Sequence, residues 1–122
     1  MGERVGEHTL RQQNENGWFD GCDFNDRPQP FLHTIAYTID GLFDLGLITG
    51  RNDFRESALK AVDGVLSAMD SKGFIPGRLD CEWKGTVPWA CLTGIAQIGV
   101  TAMKAYAVTK ERSYREAAFR AK

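Results

Sequence analysis

Apolar residues recur at steps of three and four along residues 32–45, at Ile35, Ala36, Ile39, Leu42 and Phe43. Residues at this spacing share one face of an α-helix, so the segment is predicted to be a helix with that face buried. Pro28 and Pro30 fix where the helix can begin. Gly46 and Gly50 are predicted to end it, because glycine is common just past helix C-termini.

The same spacing continues in residues 52–70, with apolar positions at Phe54, Ala58, Ala61, Val62, Val65, Leu66 and Met69. Asn52 or Asp53 is available as the N-cap, because both side chains accept hydrogen bonds from the free N–H groups of a first turn. This segment is therefore predicted to be a second helix, which ends before Gly73.

Periodic apolar positions at Ile95, Ile98, Ala102, Ala105 and Tyr106 predict a third helix over residues 91–108. Residues 112–122 are predicted to begin a fourth helix, and residues 3–14 to be the last turns of another. Residues 73–89 lose the periodicity and are rich in Gly, Pro and Trp, so they are predicted to be a long connection that leaves room for isolated β-pairing. No useful length of strand pattern occurs, and the predicted fold class is all-α.

The chain repeats itself. Residues 32–62 return sixty positions later as residues 92–122, with identical pairs such as Leu32 and Leu92, and a second echo with a shift of fifty-six relates Gly17 to Gly73. A repeat of this period is a unit that buries its apolar face against its neighbours. We expect one domain over residues 1–122, made of units at about 15–70 and 71–122 that follow the helix remnant 3–14.

Short and long connections alternate along these units. The long ones, residues 15–31 and 71–90, are expected to gather at one end of the helix array. Because both ends of the chain fall inside predicted helices, we expect a segment of a larger ring or a subunit that completes its core with another copy.

Composition narrows the possible partners. The chain has 122 residues, of which 43% are apolar and 25% charged, and its formal net charge is −1. Such a balance gives no field that attracts nucleic acid or an anionic membrane, so neither is expected as a partner. Three cysteines at irregular spacing do not form a disulfide framework, and a cytoplasmic location is expected.

Three short runs of residues carry a resemblance: Gly17-Trp18-Phe19, Leu32-His33-Thr34-Ile35-Ala36-Tyr37 and Trp89-Ala90-Cys91-Leu92-Thr93-Gly94-Ile95-Ala96-Gln97. The chain resembles the α/α-toroid proteins, a superfamily that includes six-hairpin glycosidases, polysaccharide lyases and sugar epimerases. It is most similar to an uncharacterised prokaryotic family associated with polysaccharide synthesis. The resemblance implies about two helical hairpins of a toroid, with substrate lying over the inner helices 32–45 and 91–108 at the end that carries the long loops.

Within that region, Asp23, His33 and Asp80 are the predicted acid and base residues. Paired carboxylates serve glycoside hydrolysis, and imidazole exchanges protons near neutral pH. A turn or cap role is the alternative for the two aspartates, and a cap or core role is the alternative for His33.

Sugar sites also use cations, hydrogen-bonding groups and aromatic faces. The predicted substrate-binding residues are Arg27, Arg78, Glu82, Trp83 and Trp89. Arginine would bind an acidic group, and tryptophan would cover the apolar side of a pyranose ring. Packing beneath the loops is the alternative for Trp18 and for Trp89.

The leading interpretation includes no metal and no cofactor. Zinc held by Cys22, Cys81, Cys91 and His33 is an alternative, because thiolates and imidazole are ligands that zinc accepts. Three buried or half-buried thiols are the simpler expectation.

The sequence therefore predicts a carbohydrate-active protein of the α/α-toroid type, acting by hydrolysis, lyase chemistry or epimerisation on a sugar or uronic-acid ligand. This function rests on fold analogy. The alternative is a non-catalytic helical-repeat interaction module that self-associates. A homo-oligomer is expected in either case, with Phe54, Tyr114, Ile39 and Leu42 predicted to be the under-covered apolar residues.

Overall fold

The computed structural model describes residues 2–22 and 29–121 of the chain. Five helices lie in these residues: α1 Gly2–Arg11, α2 Leu32–Thr49, α3 Asn52–Ser67, α4 Leu92–Thr109 and α5 Arg112–Arg120. The same residues form no β-strand, and their β-pairing is limited to isolated bridges such as the one between Pro76 and Ala90. The all-α prediction and the isolated pairing in the second long connection are confirmed.

The predicted end of α2 at Gly46 is wrong, because the helix continues to Thr49. Gly50 ends it in the left-handed conformation, with φ 74°, and its N–H donates to the carbonyl oxygen of Gly46 at 3.0 Å. Gly46 is buried where α3 crosses α2, and a Cβ there would lie 3.0 Å from the backbone nitrogen of Arg55. This glycine therefore permits close packing of two helices and does not terminate one.

The predicted N-cap of α3 is also wrong. Arg51 occupies the cap position, and its side chain makes no capping hydrogen bond. Asp53 instead accepts from the Arg51 guanidinium at 2.7 Å and from the N–H of Phe54 at 3.0 Å. These hydrogen bonds, with the Arg51 bond the strongest, lower the pKa of Asp53. The carboxylate lies in the first turn, where the helix dipole favours a negative charge.

Residues related by the sequence repeat also make equivalent contacts in the structure. The N–H of Asn14 donates to Trp18 at 2.7 Å, and fifty-six residues later the N–H of Asp70 donates to Phe74 at 2.9 Å. Gly17 and Gly73 both have a φ of 89°. Gly17 lies against the backbone of Lys60, and Gly73 lies against the backbone of Arg120. The turn after α1 and the turn after α3 therefore have the same local structure and pack in the same way against the helix that follows in the repeat.

The core lies where α2 packs against α3 and α4. Its largest fully buried side chains include Phe43, Phe54, Leu32, Ile35, Ile39 and Ile98. The four residues predicted to be under-covered are buried too, with exposed fractions of 0% for Phe54 and Ile39, 3% for Leu42 and 5% for Tyr114. That prediction is wrong, because contacts between the helix pairs already cover these side chains. None of the helices in residues 2–22 and 29–121 is long and apolar enough to cross a membrane.

A polar bridge joins α2 to α4. The Nζ atom of Lys104 lies 2.7 Å from a carboxylate oxygen of Asp40 and 2.7 Å from one of Asp44. Partial burial works to lower the pKa of Lys104, but the hydrogen bonds to the two carboxylates outweigh it and raise that pKa. Because the pairs are partly exposed, each is expected to contribute about 1 kcal/mol or less.

The two long connections contact each other. The Trp18 and Trp83 rings meet edge to face, with their centroids 5.0 Å apart. Asn16 donates from its side chain to the carbonyl oxygen of Cys81 at 2.7 Å and accepts from the Trp83 indole at 2.9 Å. The aromatic pair and the two hydrogen bonds thus connect the loops at this point.

Candidate functional site

Three of the predicted site residues come together, and three lie elsewhere in the second long connection. His33, Arg78 and Trp89 all contact or adjoin the ring of Phe31, at the start of α2. The other three are Asp80, Glu82 and Trp83. The predicted residues Asp23 and Arg27 lie outside the described part of the chain.

Backbone hydrogen bonds around Gly77 bring the first group together. The N–H of Leu32 donates to the carbonyl oxygen of Gly77 at 2.9 Å, and the N–H of Gly77 donates to that of Trp89 at 2.8 Å. Phe31 and Arg78 also form an antiparallel bridge. A Cβ at Gly77 would collide with the Trp89 ring. The absence of a side chain at this position therefore allows Trp89 to lie beside the start of α2.

Four rings form a continuous patch in this region. Phe31 stacks on His33 with their centroids 5.6 Å apart, and it meets Trp89 at 6.0 Å. His33 meets Tyr37 edge to face at 6.1 Å. Tyr37 is 60% exposed and Trp89 is 45% exposed. We refer to Phe31, His33, Tyr37 and Trp89, together with Arg78, as the aromatic surface.

Arg78 supplies the cation of the aromatic surface. Its guanidinium carbon lies 3.7 Å from the centroid of the Phe31 ring, which is a cation–π geometry. Its Nη1 atom donates to the carbonyl oxygen of Gln29 at 2.7 Å. Among the residues that the structure describes, Arg78 has no carboxylate partner. Within residues 2–22 and 29–121, no carboxylate takes up the remaining guanidinium donors.

A thiol adjoins the imidazole of the aromatic surface. The Sγ atom of Cys91 lies 3.8 Å from Nδ1 of His33, and Cys91 occupies the N-cap position of α4. Both side chains are half-buried. This contact links the first turn of α2 to the residue that precedes α4, so the aromatic surface lies where the two repeat units meet.

Asp80 organises a turn. Its Oδ1 atom accepts from the N–H groups of Glu82 at 2.9 Å and Lys84 at 3.0 Å. Its backbone carbonyl accepts from the N–H of Trp83 at 3.0 Å. Glu82 points to solvent and pairs with Lys84 at 2.9 Å. These contacts are those of an Asx-type turn, which is the structural alternative for Asp80.

Trp83 lies beneath this turn. Its backbone has a φ of 62°, which is uncommon for a residue with a side chain. The indole packs against Gly64 of α3, where a Cβ would collide with it, and 6% of the residue is exposed. In this arrangement Trp83 connects the loop to α3 and offers little surface on which a sugar ring could stack.

The cysteines are divided between two places. Cys22 and Cys81 line one hollow of about 240 Å³, whereas Cys91 contacts His33. Burial raises the pKa of the Cys22 thiol, and the hydrogen bond to Thr38 only partly opposes this effect. Over residues 2–22 and 29–121, no group of three or more His, Cys, Asp or Glu side chains has the arrangement of a metal site. A zinc site made of the three cysteines and His33 is therefore not assembled in this structure.

The site prediction missed Phe31 and Tyr37. Tyr37 follows His33 by four residues, and this spacing places both on one side of a helix. That signal could have identified Tyr37. Phe31 could not be identified locally, because its role depends on the bridge to Arg78 on a distant loop.

No protein-family model matches the chain, and no curated protein or solved structure is significantly similar to it. The resemblance to the α/α-toroid proteins consequently stays a prediction.

Proposed function

We propose that this chain binds a carbohydrate at the aromatic surface and prefers an acidic sugar such as a uronic acid. The observation that carries the proposal is that the half-exposed Trp89 and Arg78 both adjoin the Phe31 ring, while Arg78 lacks a carboxylate partner among the described residues. An indole face covers the apolar side of a pyranose ring, while a guanidinium group binds a carboxylate through two parallel hydrogen bonds. The exposed Tyr37 hydroxyl adds a donor and an acceptor for sugar hydroxyl groups.

The described side chains of the aromatic surface favour proton transfer over glycoside hydrolysis as the associated reaction. Hydrolysis requires a pair of carboxylates across the scissile bond. Of the two predicted aspartates only Asp80 is described, and its Oδ1 atom accepts hydrogen bonds from two backbone N–H groups of its own turn. A lyase or epimerase instead removes the proton next to the uronic carboxylate. We propose His33 as the acid–base group for this step and Arg78 as the group that stabilises the negative charge on the carboxylate. This extends the α/α-toroid hypothesis to a particular class of reaction.

The three tryptophans provide a direct test of binding. Each indole N–H of the ¹⁵N-labelled chain gives a separate NMR signal, and the Trp18 and Trp83 rings are buried whereas Trp89 is exposed. Addition of glucuronate or galacturonate should shift the Trp89 signal and leave the other two nearly unchanged. Glucose and galactose should produce smaller shifts at equal concentration, because they lack the carboxylate that Arg78 would bind.

A matched pair of arginine variants tests the charge preference. Arg78→Gln should weaken uronate binding about tenfold, which corresponds to the loss of one charge-assisted contact. Arg115→Gln is the control, because Arg115 also lies over an aromatic ring, that of Phe119, at 5.5 Å but outside the aromatic surface. Equal uronate binding by the Arg78 variant and the natural chain would contradict the proposal. So would the absence of any Trp89 shift with either acidic or neutral sugars.

A further inference from the structure

One side of α4 carries an unusual series of exposed apolar residues. Five positions at steps of three and four form this α4 stripe: Leu92, Ala96, Val100, Met103 and Ala107. The exposed fractions are 76% for Leu92, 57% for Val100 and 44% for Met103. A helix of a soluble domain normally turns such a stripe toward a neighbour.

The repeat shows what kind of neighbour fits this stripe. Sixty residues earlier, the equivalent positions of α2 are Leu32, Ala36, Asp40, Phe43 and Leu47. Leu32, Ala36 and Phe43 are each 0% exposed, whereas Leu47, at the far end, is 44% exposed. This side of α2 receives α4, since a Cβ at Gly94 would lie 2.7 Å from Cγ of Leu32. The α4 stripe is therefore exposed, whereas α4 covers most of the equivalent side of α2.

The α2 side that corresponds to the α2-facing side of α4 is open around Gly41. The α4 residues that contact α2 include Gly94, Thr101 and Lys104. Their equivalents sixty residues earlier are Thr34, Gly41 and Asp44. A groove of about 430 Å³ lies between α1 and α2 at this face, and we call it the α1–α2 groove; its lining includes Val5, Thr9, Tyr37, Thr38, Gly41 and Leu45. A Cβ at Gly41 would meet nothing within 4 Å, so the groove has room for side chains from another helix.

We propose that a second copy of this chain docks its α1–α2 groove on the α4 stripe of the first copy. The contact repeats the internal packing of α2 with α4, so the two copies associate head to tail. This inference does not rest on the proposed sugar ligand.

Charge complementarity supports a second copy as the occupant. Within one chain, Asp44 of α2 pairs with Lys104 of α4 at 2.7 Å. When the same contact is made between copies, residue 44 of the second copy lies opposite residue 104 of the first. An aspartate again meets a lysine. Both are already paired within their own chains, but Asp44 keeps a side-chain exposure of 47% and Lys104 one of 28%, so the contact between copies would extend the pair into a larger network of charges.

Steric complementarity holds at one of the two equivalent positions. Thr34, the equivalent of Gly94, is only 5% exposed and does not line the groove. Gly41, the equivalent of Thr101, lines the groove and leaves room for a side chain from the other copy. The closest approach of the copies is expected near Gly41 of the groove and Val100 of the stripe.

Sedimentation equilibrium of the 122-residue chain tests the interface. At about 200 µM, a range in which weak interfaces form, the mean mass should exceed that of the 13.6 kDa monomer and rise with concentration. Val100→Glu on the stripe and Gly41→Arg in the groove should each return the mass to that of a monomer. Ile48→Glu is the control, because Ile48 is an 83% exposed apolar residue outside both surfaces.

Mixing the two blocked variants gives the sharpest outcome. The Gly41→Arg chain keeps an intact stripe and the Val100→Glu chain keeps an intact groove, so an equal mixture should form heterodimers and nothing larger. Circular dichroism checks that each variant is folded. A natural chain that is monomeric throughout, or an unchanged mass in the Val100→Glu variant, would overturn the proposal. If the mixture of Gly41→Arg and Val100→Glu chains stayed monomeric, the head-to-tail geometry would be overturned.

Discussion

A single hydroxyl group connects α5 to α3. The phenol of Tyr114, which is 5% exposed, donates to a carboxylate oxygen of Asp63 at 2.6 Å. Asp63 itself is exposed, so water can replace the lost donor when the phenol is removed. Tyr114→Phe is therefore expected to lower the free energy of unfolding by about 0.5–1.5 kcal/mol at neutral pH. Urea unfolding curves of the two proteins measure this difference.

The same hydroxyl makes stability depend on alkaline pH. Burial and the Asp63 carboxylate raise the pKa of Tyr114, so the folded state holds the phenol proton more tightly than the unfolded chain does. The phenol of an unfolded tyrosine titrates at about pH 10. The stabilisation that the Tyr114 phenol provides is therefore complete below that pH and declines as the pH rises above it. The advantage of the natural chain over Tyr114→Phe should consequently shrink between about pH 9.5 and pH 11. An advantage that stays constant over this interval would show that the phenol and Asp63 are not coupled.

Individual residues of the second long connection were the least predictable part of the candidate site. Asp80 belongs to an acidic loop in sequence, but its turn depends on which N–H groups fold back onto its carboxylate. Trp83 is buried because a glycine of α3, nineteen residues earlier, leaves space for its ring. Residue type alone does not reveal such a partner. The structure places His33, Arg78 and Trp89 around Phe31, and their binding role stays a prediction.

At the scale of helices, apolar periodicity was a good guide. It located α2, α3, α4 and α5 to within a few residues, because each helix buries one continuous side. The errors occurred at Gly46 and at the start of α3. A glycine that ends a helix and a glycine that admits a neighbouring helix look the same in sequence, and only the position of α3 distinguishes them.

Two helix-interior glycines are expected to respond oppositely to alanine. At Gly64 a methyl group would collide with the Trp83 ring, so Gly64→Ala should lower the free energy of unfolding by about 1–3 kcal/mol. At Gly41 the same methyl group meets open space, so Gly41→Ala should raise it by about 0.5–1 kcal/mol through helix propensity. Urea unfolding at low protein concentration measures both. Equal effects of the two substitutions would contradict the packing of Trp83 on α3.

At the scale of the whole molecule, the aromatic surface and the α4 stripe lie at different locations, whereas the α1–α2 groove shares Tyr37 with the aromatic surface. The aromatic surface forms where the second long connection meets the start of α2, and it needs residues that are more than forty positions apart, such as Phe31 and Arg78. The α4 stripe needs only the helix period and the sixty-residue shift. Self-association stays a prediction of the sequence analysis, and the apolar residues that it named as under-covered are buried. Whether the equivalent side of α2 or of α4 is exposed depends on how the helices are arranged in space.

Self-association should also appear in the thermal stability of the chain. Binding between folded copies stabilises the folded state by mass action, whereas unfolded chains lose both surfaces. The midpoint of thermal unfolding is therefore expected to rise by about 2–5 °C for each tenfold increase in protein concentration around the association range. Val100→Glu should flatten this dependence, and Ile48→Glu should preserve it, since only the first substitution changes the α4 stripe. Calorimetry over about a hundredfold range of concentration measures all three slopes. If the natural chain and Val100→Glu gave the same slope, the copies would have to associate through a surface other than the α4 stripe.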